Sequence, residues 1–475
     1  MVFSSYEFVF AFLPIVLIIN FVLAKYFPKW VQHSFLLAAS LYFYAYFNFS
    51  YFPIIAASIL VNYFLAKIMQ DKDNPSVRKL CLVLGVIFNI GMLGYFKYYD
   101  FFVENINIVF GTSFFLKNIL LPLGISFFTF QQFSFLISVY KREEQLEGFI
   151  DYALFVTFFP QLVAGPIVLY SEMMPQFVDE KRRRVNFANL SKGIYIFAFG
   201  LFKKLVIADT IALVANNGFA LQNFTFVTSL ITMLSYTLQI YFDFSGYSDM
   251  AIGLGKMFNI DIPLNFDSPY KTESITAFWR KWHITLGRAL STYVYIPLGG
   301  NRVSKQRKYI NLMATFIVSG IWHGAAWTFV LWGALHGIIS VFENVFDKAL
   351  KKIPHVIRVA GTFLSVALLW VLFRATSFEN ALNVYKGFFV FGGFNISSIG
   401  ALMQDNILNF PDIFDTIFLL SSLFVLYFIV FFKKNVFEMS NKFSTTTKYA
   451  ILTALILAVS VVHMSRESIF IYFNF

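Results

Sequence analysis

The chain has 475 residues, of which 58% are hydrophobic and only 13% are charged. About a quarter of the residues of a typical soluble domain are charged, so this composition excludes an ordinary soluble protein of two or three domains. The formal net charge of +11 comes from Lys and Arg residues that gather in short loops. Loops on the cytosolic side of membrane proteins have this composition, so we expect no nucleic-acid partner. The apolar runs are continuous rather than alternating, which predicts an all-α polytopic membrane protein and not a β-barrel.

The N-terminal part of the chain is predicted to contain four spanning helices, near 7–25, 30–48, 52–67 and 79–99. The first apolar segment lacks the basic start of a signal peptide, so we expect it to be retained. Basic residues follow the first and third helices, and the positive-inside rule then predicts that the N-terminus lies outside the cytosol. The single cysteine, Cys81, excludes an intramolecular disulfide and is expected to pack in a helix.

The middle of the chain contains an interrupted apolar stretch. A helix is predicted at 119–140, and the apolar residues 150–170 that follow are broken by two prolines and a glycine within 159–166. Basic residues flank the stretch on both sides, which indicates a re-entrant segment whose broken backbone is buried in protein. A kinked spanning helix is the alternative. Helices near 189–213 and 224–243 then lead out of the cytosol and back.

The C-terminal part is predicted to return to the membrane after a long basic stretch at the cytosolic surface. In chain order, the predicted elements are the surface stretch 271–308, a hairpin at 309–346, a helix at 356–373, a mixed outer segment at 376–411, and helices at 413–432 and 449–464. Both termini then lie outside the cytosol, and the chain has about 10–12 membrane helices. No internal repeat divides it, so we expect a single integral membrane domain over 1–475.

The hairpin places two histidines, His323 and His336, in a sequence apolar enough for a bilayer. A titratable group at membrane depth is costly, so each is a candidate functional residue. His323 precedes an expected turn at Gly324, and Trp327 is expected on the same helical face as His323. A neutral imidazole can take a proton from a hydroxyl; a core histidine bonded to a carbonyl is the alternative. His336 would lie about 20 Å away along one helix, and since the turn is not expected to bring it close, a structural role is predicted for it.

A Trp-rich amphipathic helix is predicted over 272–288, at the cytosolic interface. His283 falls at the border between its two faces. Trp279 and Trp282 lie on its apolar face, and Arg280 and Arg288 lie on its basic face. The basic face suits the phosphates of an anionic donor such as coenzyme A. A membrane-surface helix without chemistry is the alternative.

Two carboxylates, Asp243 and Asp249, lie at the end of an apolar run. Buried carboxylates need partners, and Arg280 or Arg288 are the expected ones, which favours structural ion pairs over catalysis. The chain shows no metal-ligand spacing, no Walker A loop and no nucleophile elbow. We therefore expect no metal, and neither ATP-driven transport nor hydrolase chemistry of the soluble type is supported.

Several stretches together are similar to the motifs of one protein family. They are Pro-Leu-Gly-Ile-Ser-Phe-Phe-Thr-Phe-Gln (122–131), Phe-Phe-Pro-Gln-Leu-Val-Ala-Gly-Pro-Ile (158–167), Tyr-Phe-Asp-Phe-Ser-Gly-Tyr-Ser-Asp-Met-Ala-Ile-Gly (241–253), Phe-Trp-Arg-Lys-Trp-His-Ile-Thr-Leu (278–286), Tyr-Ile-Pro-Leu-Gly-Gly-Asn (295–301) and Gly-Ile-Trp-His-Gly (320–324). On these motifs, which span roughly 120–340, the chain resembles the membrane-bound O-acyltransferase superfamily, in its bacterial branch that acetylates alginate and peptidoglycan. It departs from the family at Ser138, where an Asp is usual, but the histidine motifs are intact.

The resemblance implies an O-acyltransferase with a central tunnel through the membrane. It matches the catalytic histidine of the family to His323 and the second functional histidine to His283. The residues expected to bind substrate are Trp279, Arg280, Trp282, Arg288, Trp322 and Trp327. The implied donor is cytosolic acetyl-CoA, with no tightly bound cofactor. The implied acceptor is an envelope polysaccharide, reached through an extracytoplasmic acetyltransferase partner, and the expected location is the bacterial cytoplasmic (inner) membrane.

Two other functions stay open at this point. Transfer of D-alanine from a carrier protein to teichoic acid shares these motifs, although the long C-terminal region, 376–475, favours acetyl transfer. A transporter or flippase without chemistry would explain the helices and the broken segment. It would not explain histidines that are flanked by tryptophan.

Overall fold

Apolar helices dominate the structure. A computed structural model describes residues 1–392 and 412–465, together with the single positions 399, 402, 470 and 471. Among these residues the only pairing of extended backbone is an isolated antiparallel bridge between Phe266 and Trp282. Six helices in the described ranges are long and apolar enough to cross a membrane: Glu7–Tyr26, Phe49–Asp71, Pro75–Phe110, Trp327–Val345, His355–Arg374 and Phe414–Phe432. The predicted all-α polytopic class is confirmed.

The described chain forms two compact units. The first comprises residues 1–199, 247–263 and 443–465, and the second comprises 200–246, 264–442 and 466–475. Two of the boundaries between these units fall within helices, Phe187–Phe202 and Phe226–Met257. The single domain expected over 1–475 stays a prediction.

The first unit is built from helices close to the predicted positions. Its α-helices are Leu13–Tyr26, Lys29–Phe47, Phe52–Asp71, Pro75–Leu93, Tyr99–Phe110, Ile125–Tyr140, Phe149–Thr157, Phe159–Leu162, Tyr170–Val178 and Thr447–His463, with most of Phe187–Phe202. The helix predicted at 79–99 continues to Phe110, where Gly111 ends it in a left-handed conformation (φ +62°). Residues 100–110, which follow the predicted helix, are therefore helical as well, because no proline or glycine interrupts them.

The interrupted segment of the first unit is broken as its sequence suggested. The helix Phe149–Thr157 ends at Phe158, a single turn spans Phe159–Leu162, and the next helix begins at Tyr170. Every residue from 158 to 168 is buried. A kinked spanning helix would be continuous on both sides of its kink. The geometry thus favours the re-entrant interpretation, in which protein surrounds the irregular backbone.

The second unit contains the hairpin and the basic stretch before it. Its α-helices are Asp209–Ala220, Ile275–Trp279, Ile284–Leu290, Lys305–His323, Trp327–Val345, Asp347–Leu350, His355–Arg374, Phe378–Gly387, Asp412–Phe432 and Val436–Ser440, with the first two-thirds of Phe226–Met257. We call Lys305–His323 the first hairpin helix and Trp327–Val345 the second hairpin helix. Of the outer segment predicted at 376–411, the part from 393 on lies outside the described residues, apart from positions 399 and 402.

Glycines allow the two hairpin helices to approach closely. A Cβ added to Gly320 would lie 2.4 Å from the carbonyl oxygen of Phe329, and one added to Gly333 would lie 2.4 Å from that of Phe316. At the turn, a Cβ on Gly324 would lie 2.1 Å from the ring of Phe329. Small residues at these three places therefore set the distance between the helices and the tightness of their connection.

Candidate functional site

His323 is the last residue of the first hairpin helix, and its side chain is buried. Its Nδ1 lies 2.6 Å from the carbonyl oxygen of Ser319, one helical turn earlier. A carbonyl can only accept, so Nδ1 carries the proton and Nε2 is the basic nitrogen of the neutral ring. The hydrogen bond to a carbonyl that is expected of a structural core histidine is thus present. It also fixes the tautomer that a general base requires.

His283 lies at the N-terminus of the helix Ile284–Leu290 and is fully buried. Its Nδ1 lies 3.2 Å from Oδ1 of Asn265, and that oxygen also accepts from the backbone N–H of Thr285. Because a backbone N–H is always a donor, the atom facing it is the amide oxygen, and His283 must donate to it. His283 therefore has the same tautomer as His323.

The predicted amphipathic helix over 272–288 is wrong. The helix Ile275–Trp279 ends, and His283 adopts a left-handed conformation (φ +46°) before the next helix begins. Asn265 imposes this break: its carbonyl accepts from Ile284 N–H, and its side chain holds Thr285. Tertiary hydrogen bonds override the helical periodicity here, so His283 points into the protein and not along a membrane surface.

His283 lies outside the six candidate membrane spans. Its pKa is well below the ordinary value for histidine, mainly because the ring is buried and to a smaller extent because His323 is near. Desolvation disfavours the charged imidazolium. His283 is accordingly neutral at physiological pH, which leaves its Nε2 basic.

Aromatic rings join the histidines of the second unit. The ring of Trp322 lies 5.3 Å from that of His323 and 6.2 Å from that of His283, between centroids. The ring of Trp332 lies 5.0 Å from His323 and 4.8 Å from His336. Phe373 closes a further side of His323, at 5.5 Å. All three imidazoles therefore belong to one buried aromatic cluster.

The prediction that His336 stays distant from His323 is wrong. Because the chain reverses at 324–326, the two rings contact the same indole, that of Trp332. The expected helical relation of Trp327 to His323 is wrong for the same reason: Trp327 begins the second hairpin helix, and its side chain is 54% exposed. Trp322 and Trp332 both contact His323.

A cavity of about 550 Å³ opens beside the cluster and contains the predicted basic residues. Arg280 and Arg288 line it, and so does Lys308, which sequence reasoning did not single out. At its inner end it reaches Trp279 and Ser319. Ser319 is the residue whose carbonyl holds His323, and Trp279 donates from Nε1 to Nδ1 of His336 (3.3 Å). The cavity is thus joined to two of the imidazoles through single residues. Trp282, in contrast, is buried against Phe266, Phe278 and Trp370.

The carboxylate of Asp243 pairs with Lys204 at 2.6 Å, not with an arginine. Lys204 also contacts Asp209 at 2.7 Å, and Asp243 accepts from the backbone N–H of Ile471 at 3.0 Å. The expected pairing of Asp243 with Arg280 or Arg288 is therefore wrong, since a buried lysine satisfies it. Asp249 is buried in the first unit. The structural role predicted for both carboxylates stays a prediction.

Sequence reasoning missed several residues that hold the site together: Asn265, Lys308, Ser319, Trp332 and Phe373. One weak signal was available, because Trp332 and His336 are four residues apart on the hairpin. The others act through contacts between segments that are distant in sequence, which periodicity does not reveal.

Comparison with known proteins decides the family. Residues 112–378, more than half of the chain, match the model of the membrane-bound O-acyltransferase family. The chain belongs to this family. The peptidoglycan O-acetyltransferase of Helicobacter pylori is 41% identical to this chain, in an alignment 519 positions long that covers 100% of this chain and 98% of that protein.

Two further relatives are less similar to this chain. Probable alginate O-acetylase AlgI of Pseudomonas aeruginosa is 39% identical and aligns with 84% of this chain and 77% of its own length. The teichoic acid D-alanyltransferase of Bacillus subtilis is 28% identical and aligns with 42% of this chain and 52% of its own length. The acyltransferase branch expected from the motifs is confirmed, and the chain is a multi-pass membrane O-acyltransferase.

Proposed function

We propose that this acyltransferase moves an acetyl group from cytosolic acetyl-CoA to the outer face of the bacterial cytoplasmic membrane, for O-acetylation of an envelope polysaccharide. The observation that carries the proposal is the connection between the basic cavity and His323 through Ser319. A relative that matches the whole chain is named for peptidoglycan, so peptidoglycan is the favoured acceptor and an alginate-like glycan the second choice.

The cavity suits the donor by its charge and its position. Three cationic side chains, Arg280, Arg288 and Lys308, line it and complement the phosphates of coenzyme A. The positive-inside rule supports a cytosolic position for this basic end, on the side where acetyl-CoA is made. The thioester would then extend past Trp279 toward the imidazoles.

His323 is proposed to act as the general base. Its tautomer leaves Nε2 able to take the proton of an acceptor hydroxyl as the hydroxyl oxygen attacks the acetyl carbonyl. The same proton can then pass to the departing thiolate of coenzyme A. His283, held neutral by burial and by Asn265, is proposed as the second catalytic histidine on the donor side. An extracytoplasmic acetyltransferase is the proposed partner that delivers the group to the glycan.

The test is acetyl transfer in reconstituted vesicles. Labelled acetyl-CoA is supplied on one side and soluble peptidoglycan fragments on the other, with release of the coenzyme A thiol as a second readout. We expect His323→Ala to lower the rate about 10³-fold, the typical contribution of a general base.

His463→Ala is the matched control. Its Nδ1 makes the same bond to the carbonyl four residues earlier, that of Val459 at 2.8 Å, at the end of another helix. We expect wild-type transfer from it. If His323→Ala folds normally and keeps wild-type transfer, the proposed mechanism is wrong.

Transfer of D-alanine from a carrier protein is the second candidate, since teichoic acid D-alanyltransferases align with less than half of this chain. A wild-type protein that ignores acetyl-CoA but accepts a carrier-protein thioester would establish it. A protein that moves an intact solute without needing His283 or His323 would instead be a transporter.

A further inference from the structure

The second hairpin helix carries a row of polar side chains on the face that borders the cavity. Trp332, His336, Ser340 and Asn344 follow one another at intervals of four residues and so lie on one side of the helix. Asn344 and Ser340 line the cavity, and Lys308 donates to Asn344 Oδ1 at 2.7 Å. The row thus runs from the basic end of the cavity inward to His323, which contacts Trp332.

Two members of this row carry buried nitrogens for which the described protein offers no hydrogen-bond partner. They are Nε1 of Trp332 and Nε2 of His336, and both side chains are fully buried. Burying a polar group without a hydrogen-bond partner destabilises a protein, so such groups are rare unless they serve a function.

Both nitrogens are hydrogen-bond donors. The indole nitrogen of Trp332 can only donate. For His336, the tautomer follows from its neighbour: Trp279 donates from Nε1 to Nδ1 of His336, so Nδ1 carries no proton and the neutral ring carries it on Nε2. His336 therefore has the tautomer opposite to that of His323 and His283.

The two donors belong to the aromatic cluster that contains the proposed general base. The ring of Trp332 lies 5.0 Å from that of His323 and 4.8 Å from that of His336, between centroids. Phe316 and Trp279 pack on His336, and Phe373 packs on Trp332, so both rings are held by aromatic neighbours. A base and two buried N–H donors in one cluster are the elements of an acyl-transfer site.

We infer that Trp332 Nε1–H and His336 Nε2–H form the oxyanion-binding pair of this acyltransferase, so that His336 is a catalytic residue and not only a structural one. The inference rests on the proposed function and deepens it. In the step concerned, the acceptor oxygen bonds to the thioester carbonyl carbon, and the carbonyl oxygen becomes an oxyanion that the two N–H groups bind. Collapse of the intermediate re-forms the carbonyl and breaks the carbon–sulfur bond. The proton taken by His323 neutralises the thiolate.

The inference is tested with two substitutions that remove an N–H and keep an aromatic ring, Trp332→Phe and His336→Phe. We expect each to lower kcat about 10²-fold while KM for the thioester changes little, because the donors act on charge that develops only in the transition state. His336→Gln places an amide N–H near the position of Nε2, and we expect it to recover part of the lost kcat. A residue with only a packing role would not show this recovery.

Trp370→Phe is the matched control. Trp370 is equally buried, and its ring stacks on that of Trp332 at 5.7 Å, but its Nε1 already donates to the Tyr270 hydroxyl at 3.1 Å. Its replacement removes an indole from the same cluster without removing the proposed oxyanion donor. We expect kcat within about threefold of the wild type, the level of a 0.6 kcal/mol change.

A measurement on the wild-type protein covers the case in which a variant fails to fold. Nitrogen-15 NMR of labelled histidine reports which ring nitrogen of His336 carries the proton, with His336→Gln used to assign its signal. A proton on Nε2 supports the inference, and a proton on Nδ1 overturns it. Wild-type kcat in folded Trp332→Phe and His336→Phe, or an effect on KM alone, also overturns it.

Failure of the proposed function would appear differently. An oxyanion forms from any thioester, so the ratio of variant to wild-type kcat is measured with whichever donor the wild type uses, acetyl-CoA or an acyl carrier protein. Lack of activity with acetyl-CoA alone contradicts the proposed donor. A ratio of variant to wild-type kcat near one contradicts the oxyanion pair.

Discussion

His33 in the first unit and the three clustered histidines of the second unit are all buried, yet their partners differ in charge. His33 Nδ1 lies 2.5 Å from a carboxylate oxygen of Asp151. The hydrogen bond from His33 is the main reason that the pKa of Asp151 is below its usual range. In the second unit, His283, His323 and His336 bond to an amide, a carbonyl and an indole.

This difference has a chemical consequence. A carboxylate beside an imidazole favours its charged form, in which neither ring nitrogen is basic. Neutral partners leave one nitrogen protonated and the other basic, which suits proton transfer. The partner of a buried histidine therefore says more about its role than its burial does.

The substitution Asn265→Asp places a carboxylate beside His283, as Asp151 lies beside His33 in the first unit. A carboxylate beside His283 raises the pKa of this histidine, which burial lowers in the wild type. Activity that needs neutral His283 is then lost below the raised pKa and returns above it. We expect kcat at pH 7 to fall about 10- to 100-fold and to recover at higher pH, as a pH–rate profile would show.

Asn311→Asp controls for the burial of a new carboxylate. Asn311 is buried in the first hairpin helix and donates to the carbonyl of Gly300. We expect a loss of stability without a shift of the pH profile. An Asn265→Asp profile that coincides with the wild-type profile would contradict a role for neutral His283.

Asp151→Asn makes the opposite exchange in the first unit. Removal of the carboxylate weakens a charged hydrogen bond to His33, which costs about 2 kcal/mol of stability, and thermal unfolding in detergent measures it. We expect kcat to stay near wild type, since the pair belongs to the fold and not to the site. Asp73→Asn is the control: its partner Arg142 is exposed, and we expect a change within about 0.5 kcal/mol. A loss of kcat without a loss of stability in Asp151→Asn would break the comparison.

Arg280→Gln and Arg288→Gln test whether the cavity recognises a charged donor. We expect KM for acetyl-CoA to rise up to about tenfold for each, with kcat little changed, because a charge-assisted bond to phosphate at a partly exposed site is worth about 1 kcal/mol. Arg307→Gln is the control, an exposed arginine of the first hairpin helix that does not line the cavity. If KM for acetyl-CoA in Arg280→Gln and Arg288→Gln equals that in the control Arg307→Gln, the proposed phosphate site is excluded.

The smallest expected effect concerns Asp261 in the first unit. Partial burial opposes its ionisation, but hydrogen bonds from Lys256 and Arg182 hold its pKa below the usual range. A depressed carboxyl pKa contributes stability that is present above the unfolded-state pKa and is lost as pH falls. We expect the melting temperature to drop less steeply on acidification in Asp261→Asn than in wild type. Identical pH dependence would show that the contribution is screened by solvent.

Much of the architecture could be read from the sequence, because spanning helices need long apolar runs whatever they pack against. The predicted segments 7–25, 309–346 and 356–373 correspond to helices within a few residues. The motifs likewise indicated the family, because each is a contiguous run of residues. The interval 79–99 was predicted too short, since helical propensity continued past the apolar core of the run.

The arrangement of the site could be read only in part. The pattern around 319–337 showed that histidines stand where an apolar helix must break, but it could not show that the break folds His336 back onto Trp332. The helical spacing of apolar residues in 272–288 likewise could not show that Asn265, from a different segment, interrupts the helix at His283.

The sequence alone determined the membrane class, the helix positions and the family motifs, because these follow from composition and local order along the chain. The tertiary structure decided which nitrogen of each buried histidine carries the proton. That choice depends on a carbonyl of Ser319, an amide of Asn265 and an indole of Trp279, and two of these three partners come from other parts of the chain. Folding brings such groups to within 3.3 Å of the imidazoles, and only then does their chemistry differ.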